Sequence, residues 1–308
     1  MTNLESFPSS TSTRSLAIRA LAAVYYGKTN FDKRIFDLGT REYVKALKRV
    51  QTDLSSSTAV LEWDTLVSVL CLCMFENVAF TDKNGWLRHY EGISQLCYLA
   101  LPEWRAIPWP ESVPKTASDT LHDIFAQVPG QLYDMGRVER GEVDDSFADH
   151  LRQRVEMTLS DLEDWEQLYQ HPRPLSRPTP HNDGLHSAKD KALLALQRAI
   201  ILCMSGLCTL LRIPLVAEIP VAFEDQRATR TAIAIEICQL ATSCIGEGCT
   251  ATEPLLFIFP LQIAGMNLAT GSAEERMAEE VMNNVIAGTH GFEIGRRRGL
   301  GAWKLESS

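Results

Sequence analysis

Apolar residues recur at helical spacing along almost the whole of this chain, and almost nowhere at the alternating spacing of a strand. That pattern restricts the fold to packed helices. The one β-like stretch, Ile213 to Phe223, is interrupted by Pro214 and Pro220, which confine it to a loop or an edge. No repeat of fixed period accompanies the helical pattern. An all-α fold is expected, a multi-helix bundle or helical array with long proline-rich connections.

The first predicted helix, Ser15 to Tyr26, stops at Gly27. The second, Asp32 to Leu54, buries Ile35, Leu38, Tyr43, Leu47 and Val50 and turns Lys33, Arg34, Arg41, Lys45 and Lys48 mainly outward. Gly39 marks a kink or short turn within it. A third, Thr58 to Phe80, is preceded by Ser55-Ser56-Ser57, which offer capping hydroxyls. It is apolar nearly all round from Leu66 to Phe75, so a central position follows. Trp86 to Leu101 reads as a fourth. The next stretch, 102–115, holds Pro102, Pro108, Pro110 and Pro114 and cannot be helical; Trp104 and Trp109 pin it to the core.

Ser118 to Val138 resumes the helix with a kink at Pro129-Gly130. Phe147 to Tyr169 is amphipathic, and His171 to His186 is a proline-rich surface loop. Ala188 to Leu211, Gln226 to Cys244, Glu253 to Leu268 (broken or kinked at Pro260) and Ala273 to Ile286 complete the set. The expected organisation is a disordered stretch at 1–12, one helical domain at 13–298 and a tail at 299–308. Two lobes result if the 171–186 loop divides that domain. At 308 residues, length alone does not choose between one core and two.

Charge excludes one class of function. The net charge is −9, whereas a nucleic-acid binder needs a basic face that displaces counterions from phosphates. The one dense basic cluster, Arg296-Arg297-Arg298, is too small for that and reads as a solvated helix end. No direct DNA-binding residue is expected. The opening Met1-Thr2-Asn3-Leu4-Glu5 lacks the basic region of a signal peptide, so an intracellular chain, nuclear or cytoplasmic and not secreted, is expected. Ala199 to Leu211, bracketed by Arg198 and Arg212, is shorter than the roughly 20 residues a bilayer requires and reads as a buried core helix.

The eight cysteines are Cys71, Cys73, Cys97, Cys203, Cys208, Cys238, Cys244 and Cys249, and no C-x-x-C occurs. Cys71 and Cys73 point about 200° apart on a helix, a poor arrangement for a shared metal. Reduced core thiols are the expectation, with no metal and no cofactor. The phosphate-loop, dinucleotide, nucleophile-elbow and zinc-protease motifs are all missing.

His89 is the most informative histidine. It shares a helix face with Trp86, three residues away, and Glu76 on the preceding helix lies within its reach. A His89–Glu76 pair beside an aromatic wall has the make-up of an acid/base site. The favoured reading is a histidine that locks two core helices through a hydrogen bond. His171, His181 and His186 surround a loop and read as solvated. Glu142, Asp144 and Asp145 suit the start of the following helix, whereas Asp161, Glu163, Asp164 and Glu166 read as the wet face of an amphipathic one.

The helix from Thr65 that ends in Phe75-Glu76, then a short turn, then Trp86-x-x-His89-x-x-Gly92, resembles the middle region of fungal-specific transcription factor domains. These are the helical regulatory regions that follow the zinc-cluster DNA-binding module in fungal regulators. Ala22-x-x-Tyr25-Tyr26-Gly27 and Tyr43-x-x-Ala46-Leu47 are similar to the same family, and Gly291-Phe292-Glu293-Ile294-Gly295 falls where it often closes. The likeness covers about residues 15–298. The departure is the zinc cluster: no paired C-x-x-C-x6-C arms occur within these residues.

The resemblance implies a transcription-regulator-like domain that senses a small molecule or meets a partner protein, such as a DNA-binding regulator, without touching DNA itself. The alternative is an enzyme on a repurposed scaffold of this kind. It would act without cofactor on a hydrophobic molecule of fungal natural-product biosynthesis, as a cyclase, isomerase or lyase. In either case the pocket is expected between 62–78 and 86–100, covered by 102–114, with Trp86 and Trp104 lining it and His89 and Glu76 as the catalytic candidates.

Overall fold

The computed structural model describes residues 12–56, 58–81, 114–170, 187–215, 226–244 and 253–297, together with 88, 89, 92, 93 and 96. Among them there is no strand, and the fold is all-α. The chain divides into two compact units, one of residues 1–100 and 287–294, the other of 101–286 and 295–308. The 171–186 loop and Trp104 and Trp109 lie outside the described residues.

In the first unit, α1 runs Thr13–Thr29, and Ser12 caps it by accepting the Ser15 N–H. Helix α2, Lys33–Leu54, is capped by Asp32, which accepts from the N–H groups of Arg34 and Ile35. Neither glycine of this pair behaves as the pattern predicted. Helix α1 passes through Gly27 to Thr29, and α2 passes through Gly39 without a break. A β-carbon on Gly27 would stand 2.4 Å from the Phe36 nitrogen, and one on Gly39 would stand 2.7 Å from the Val24 nitrogen. The two glycines are therefore where α1 and α2 bring their backbones together. Ala17, Ala20, Ala23 and Val24 continue that small-residue seam and are fully or nearly fully buried.

Between these helices Phe31 takes a left-handed φ of 56°, and the Asp32 N–H donates back to the Gly27 carbonyl at 2.8 Å. This is the reversal at which glycine is the usual choice. Phe31 is 95% exposed.

A 3-10 turn at Ala59–Leu61 leads into α3, Trp63–Ala79, and Ser56 accepts the Ala59 N–H. Helix α3 buries Leu66, Val69, Leu72, Phe75 and Val78, but Leu70 and Met74 remain exposed. It is thus one-sided, although its composition predicted burial all round. The chain returns to this unit at residues 287–294. Phe292 packs on Tyr25 with ring centroids 5.9 Å apart. The Lys28 ammonium donates to the Val78 carbonyl at 2.7 Å and to Glu293 at 2.9 Å, joining α1, α3 and the closing segment.

In the second unit, capping boxes start α4 (Ala117–Phe125, Thr116 with Asp119) and α7 (Ala188–Leu211, Ser187 with Asp190). The stretch expected as one helix kinked at Pro129 is two helices. Helix α4 ends at Phe125, and α5 runs Val128–Glu139 with Pro129 in its first turn, where a missing N–H costs no hydrogen bond. Next come α6 (Asp145–Gln170) and, beyond α7, α8 (Gln226–Ser243). After a 3-10 turn at Glu253–Phe257, α9 spans Ile258–Gly265 with Pro260 in its first turn. Helix α10, Ala273–Glu280, continues as π-helix over Val281–Thr289, and α11 is Ile294–Arg297.

Helix α7 is the centre of this unit. Its full length makes it long and apolar enough to cross a membrane, so the argument from a short 199–211 stretch fails. Burial is the better argument: Ala195, Ala199, Ile200, Met204, Leu207 and Cys208 are fully enclosed, as in a core helix.

Candidate functional site

Helix α2 meets α3 through Tyr43 and Phe75, whose rings stack 4.1 Å apart at 10°. His89 sits edge-on to Tyr43, and its Nε2 makes a 3.0 Å hydrogen bond with the Tyr43 hydroxyl. Burial pushes His89 below its ordinary range; Glu76 pulls the other way and Arg88 adds to the lowering. The neutral imidazole is therefore favoured at neutral pH.

Glu76 is almost fully buried at the end of α3. Its carboxylate accepts the Thr81 N–H at 2.9 Å and the Thr81 hydroxyl at 2.6 Å. Phe80 between them adopts a left-handed φ of 52°, with its N–H bonded to the Glu76 carbonyl. Glu76 thus holds the turn that ends α3, and its charge reaches His89 from there. Of the four residues expected at one pocket, the structure brings Glu76 and His89 into one neighbourhood, while Trp86 and Trp104 lie outside the described residues.

Sequence reasoning missed Tyr43 as the hydrogen-bonding partner of His89. The signal was present: Tyr43 is a polar-tipped ring on the buried stripe of α2, where a hydroxyl has to find a partner. On the same helix Glu42 is buried between Arg19 (3.2 Å) and Lys45 (2.8 Å). Burial tends to raise its pKa, but the two cations outweigh it and hold the carboxyl below its usual range.

The second unit carries a larger polar cluster. Arg198 on α7 donates to both oxygens of Glu166 on α6, at 2.6 and 2.7 Å. Its Nε donates to Glu236 on α8 at 2.8 Å, and Nη1 also reaches the Gln197 side-chain oxygen. Burial opposes the charge, but the two carboxylates more than offset it and raise the affinity of Arg198 for its proton. Glu166 belongs to the run expected as a solvated face; here it is half of a planar fork. Gln131 on α5 donates to Thr158 on α6 at 2.7 Å, and Arg154 donates to the buried Asp134 at 2.6 Å.

An open cleft of about 590 Å³ lies between the start of α8 and the turn after α9. Arg227, Arg230, Thr231 and Asn267 give it a polar wall and Met266 and Leu268 an apolar one. Its volume is in the range of small-molecule sites, and its two guanidinium groups suit an anionic group. Among the described residues no three His, Cys, Asp or Glu side chains gather as metal ligands. Burial drives the Cys73 thiol up to about 11, and those of Cys203, Cys208 and Cys238 up to about 12. Such thiols are poor nucleophiles at neutral pH and pack as apolar side chains.

Against known proteins, the model of the fungal specific transcription factor domain matches residues 8–213. A stretch of 87 residues is 31% identical to uncharacterized protein AN5342 of Emericella nidulans, covering 28% of this chain and 19% of that protein. No solved structure matches the chain. With more than half of its length matched by one family model, the chain belongs to the fungal specific transcription factor domain family.

Proposed function

We propose that this chain is a regulatory domain that acts on transcription by meeting a partner protein or sensing a small molecule, in the nucleus, without itself contacting DNA. The observation that carries this reading is the family match over residues 8–213. The net charge of −9 supports the absence of direct DNA contact. What favours regulation over catalysis is the use made of the two candidate residues. His89 is spent on Tyr43, between α2 and the residues around His89, and Glu76 is spent on Thr81 at the end of α3. Both arrangements hold elements together, and a histidine perturbed by burial serves structure as well as chemistry.

The test is to tether the full chain to an unrelated DNA-binding module upstream of a reporter gene. Reporter output that changes against the module alone supports the reading. Unchanged output, together with conversion of a metabolite by the purified chain, refutes it.

A further inference from the structure

We propose that the outer face of α2 is a docking surface for an acidic peptide segment that carries apolar side chains. The inference names a partner chemistry for the regulatory reading above and rests on it. The chain is acidic overall, yet the exposed side of α2 is not. Arg34, Arg41 and Lys48 are exposed and spaced seven residues apart. On a helix that spacing drifts by only about 20° per step, so the three form one row roughly 21 Å long.

Lys45 is exposed beside the row and reaches round to the buried Glu42. Arg34 has a loose 3.9 Å contact with Asp32. Among the described residues neither Arg41 nor Lys48 has a carboxylate within salt-bridge distance. Asp37 is the one acid exposed among Arg34, Arg41, Val44, Lys45 and Lys48.

Two apolar groups accompany the cations. Val44, three residues from Arg41, is 46% exposed, and Phe31, just before the Asp32 cap, is 95% exposed. Phe31 is held in a left-handed backbone that disfavours it, with its ring in solvent. Neither burial nor backbone preference accounts for a phenylalanine there, and such outliers point to a use outside folding.

A row of cations flanked by apolar side chains matches carboxylates interleaved with apolar residues, with charge setting the approach and the apolar anchors adding affinity. Even with Lys33 and Arg49, which are exposed on the same helix, these cations are a weak footprint for nucleic acid, and Val44 and Phe31 would find nothing to meet on a phosphate backbone.

The test uses the full chain and a fluorescent peptide of about 15 residues built from Asp, Glu, Leu and Phe, followed by anisotropy; as a helix it spans roughly the length of the row. The expected result is saturable binding that weakens as salt is raised and falls about tenfold or more in the R34E/R41E/K48E variant. The matching Asn/Gln peptide should bind no better than that variant binds the acidic one, and Phe31→Ala should give a smaller loss, about threefold. If charge reversal impairs folding, as read by circular dichroism, the R34Q/R41Q/K48Q variant takes its place with a smaller expected loss.

Equal binding by the reversed or neutralised chain overturns the assignment, as does equal binding of the uncharged peptide. Preferential binding of duplex DNA, or self-association that the reversal abolishes, overturns it in favour of those occupants. Should the peptide fail while the tethered chain still alters the reporter, only this partner falls and the regulatory reading stands.

Discussion

The two units are held by different physics. In the first, α1 and α2 are in backbone contact at Gly27 and Gly39, and little but alanine and valine lies along the seam. In the second, the long arm of Arg198 joins α7 to α6 and α8 across a distance that side chains span. A backbone contact has no slack, because any added atom meets main chain. A guanidinium fork tolerates small shifts, since rotamers adjust. The α1–α2 seam of the first unit therefore tolerates the least added volume, and that unit carries the exposed basic row of α2. The second holds its helices through side chains and opens a cleft.

The largest expected effect breaks the seam. Gly39→Ala puts a methyl group 2.7 Å from the Val24 nitrogen and Gly27→Ala puts one 2.4 Å from the Phe36 nitrogen. Each should destabilise the chain by about 3 kcal/mol or more in urea titrations, at the upper end of overpacking costs. A loss below about 1 kcal/mol would mean that the helices separate easily and the contrast is false.

Arg198→Ala should cost about 1–3 kcal/mol. It leaves Glu166 and Glu236 without their cation, but both are partly exposed and water compensates in part. Arg198→Lys should recover little of this, because an ammonium does not reproduce the fork.

Next in size is Tyr43→Phe, which removes the hydroxyl from His89 and should cost about 1–2 kcal/mol. The pH dependence sharpens the same point. Burial lowers the folded-state pKa of His89, and also that of His290. A histidine of this kind contributes stability that is present above its ordinary value of 6.5 and is lost as pH falls from there through the folded-state value. Melting temperature should therefore decline as pH drops below 6.5, and His89→Gln should flatten the upper part of that decline, where His290 also contributes; the lowered carboxyl of Glu42 adds to the loss only below its ordinary value of 4.5. A variant with an unchanged slope would remove His89 from the account.

The smallest effect has the opposite sign. Phe31→Gly should stabilise the chain by about 0.5–1 kcal/mol, because it relieves a left-handed residue that buries nothing. It should weaken peptide binding at the same time.

Helix positions were legible in the sequence because apolar spacing reports which face is buried, and α6, α7 and α8 end within a few residues of where that spacing stops. Glycine was not legible. In a helix it marks either an end or a close approach, and only the neighbouring element decides; at Gly27 and Gly39 the neighbour is a backbone. Pro129 and Pro260 fall in first turns for a related reason, since the sequence shows a missing N–H but not which helix begins there.

The candidate site was half legible. The succession of two helices placed Glu76 within reach of His89, but the hydroxyls that engage them belong to Thr81, five residues after Glu76, and to Tyr43, 46 residues away from His89. Spacing within a helix carries no information about a tertiary partner such as Tyr43. Glu166 was read as solvated for the same reason, Arg198 being 32 residues further along the chain on the next helix.

The central proposal is regulation, not catalysis, by this domain. The most direct measurement is to incubate the purified chain with a fungal metabolite extract and follow melting temperature and metabolite masses together. A molecule that binds only the folded state raises the melting temperature by mass action. The account predicts that every stabilising molecule is recovered unchanged, by the native chain and by His89→Gln alike. A product formed by the native chain and lost in His89→Gln, with melting intact, would contradict it.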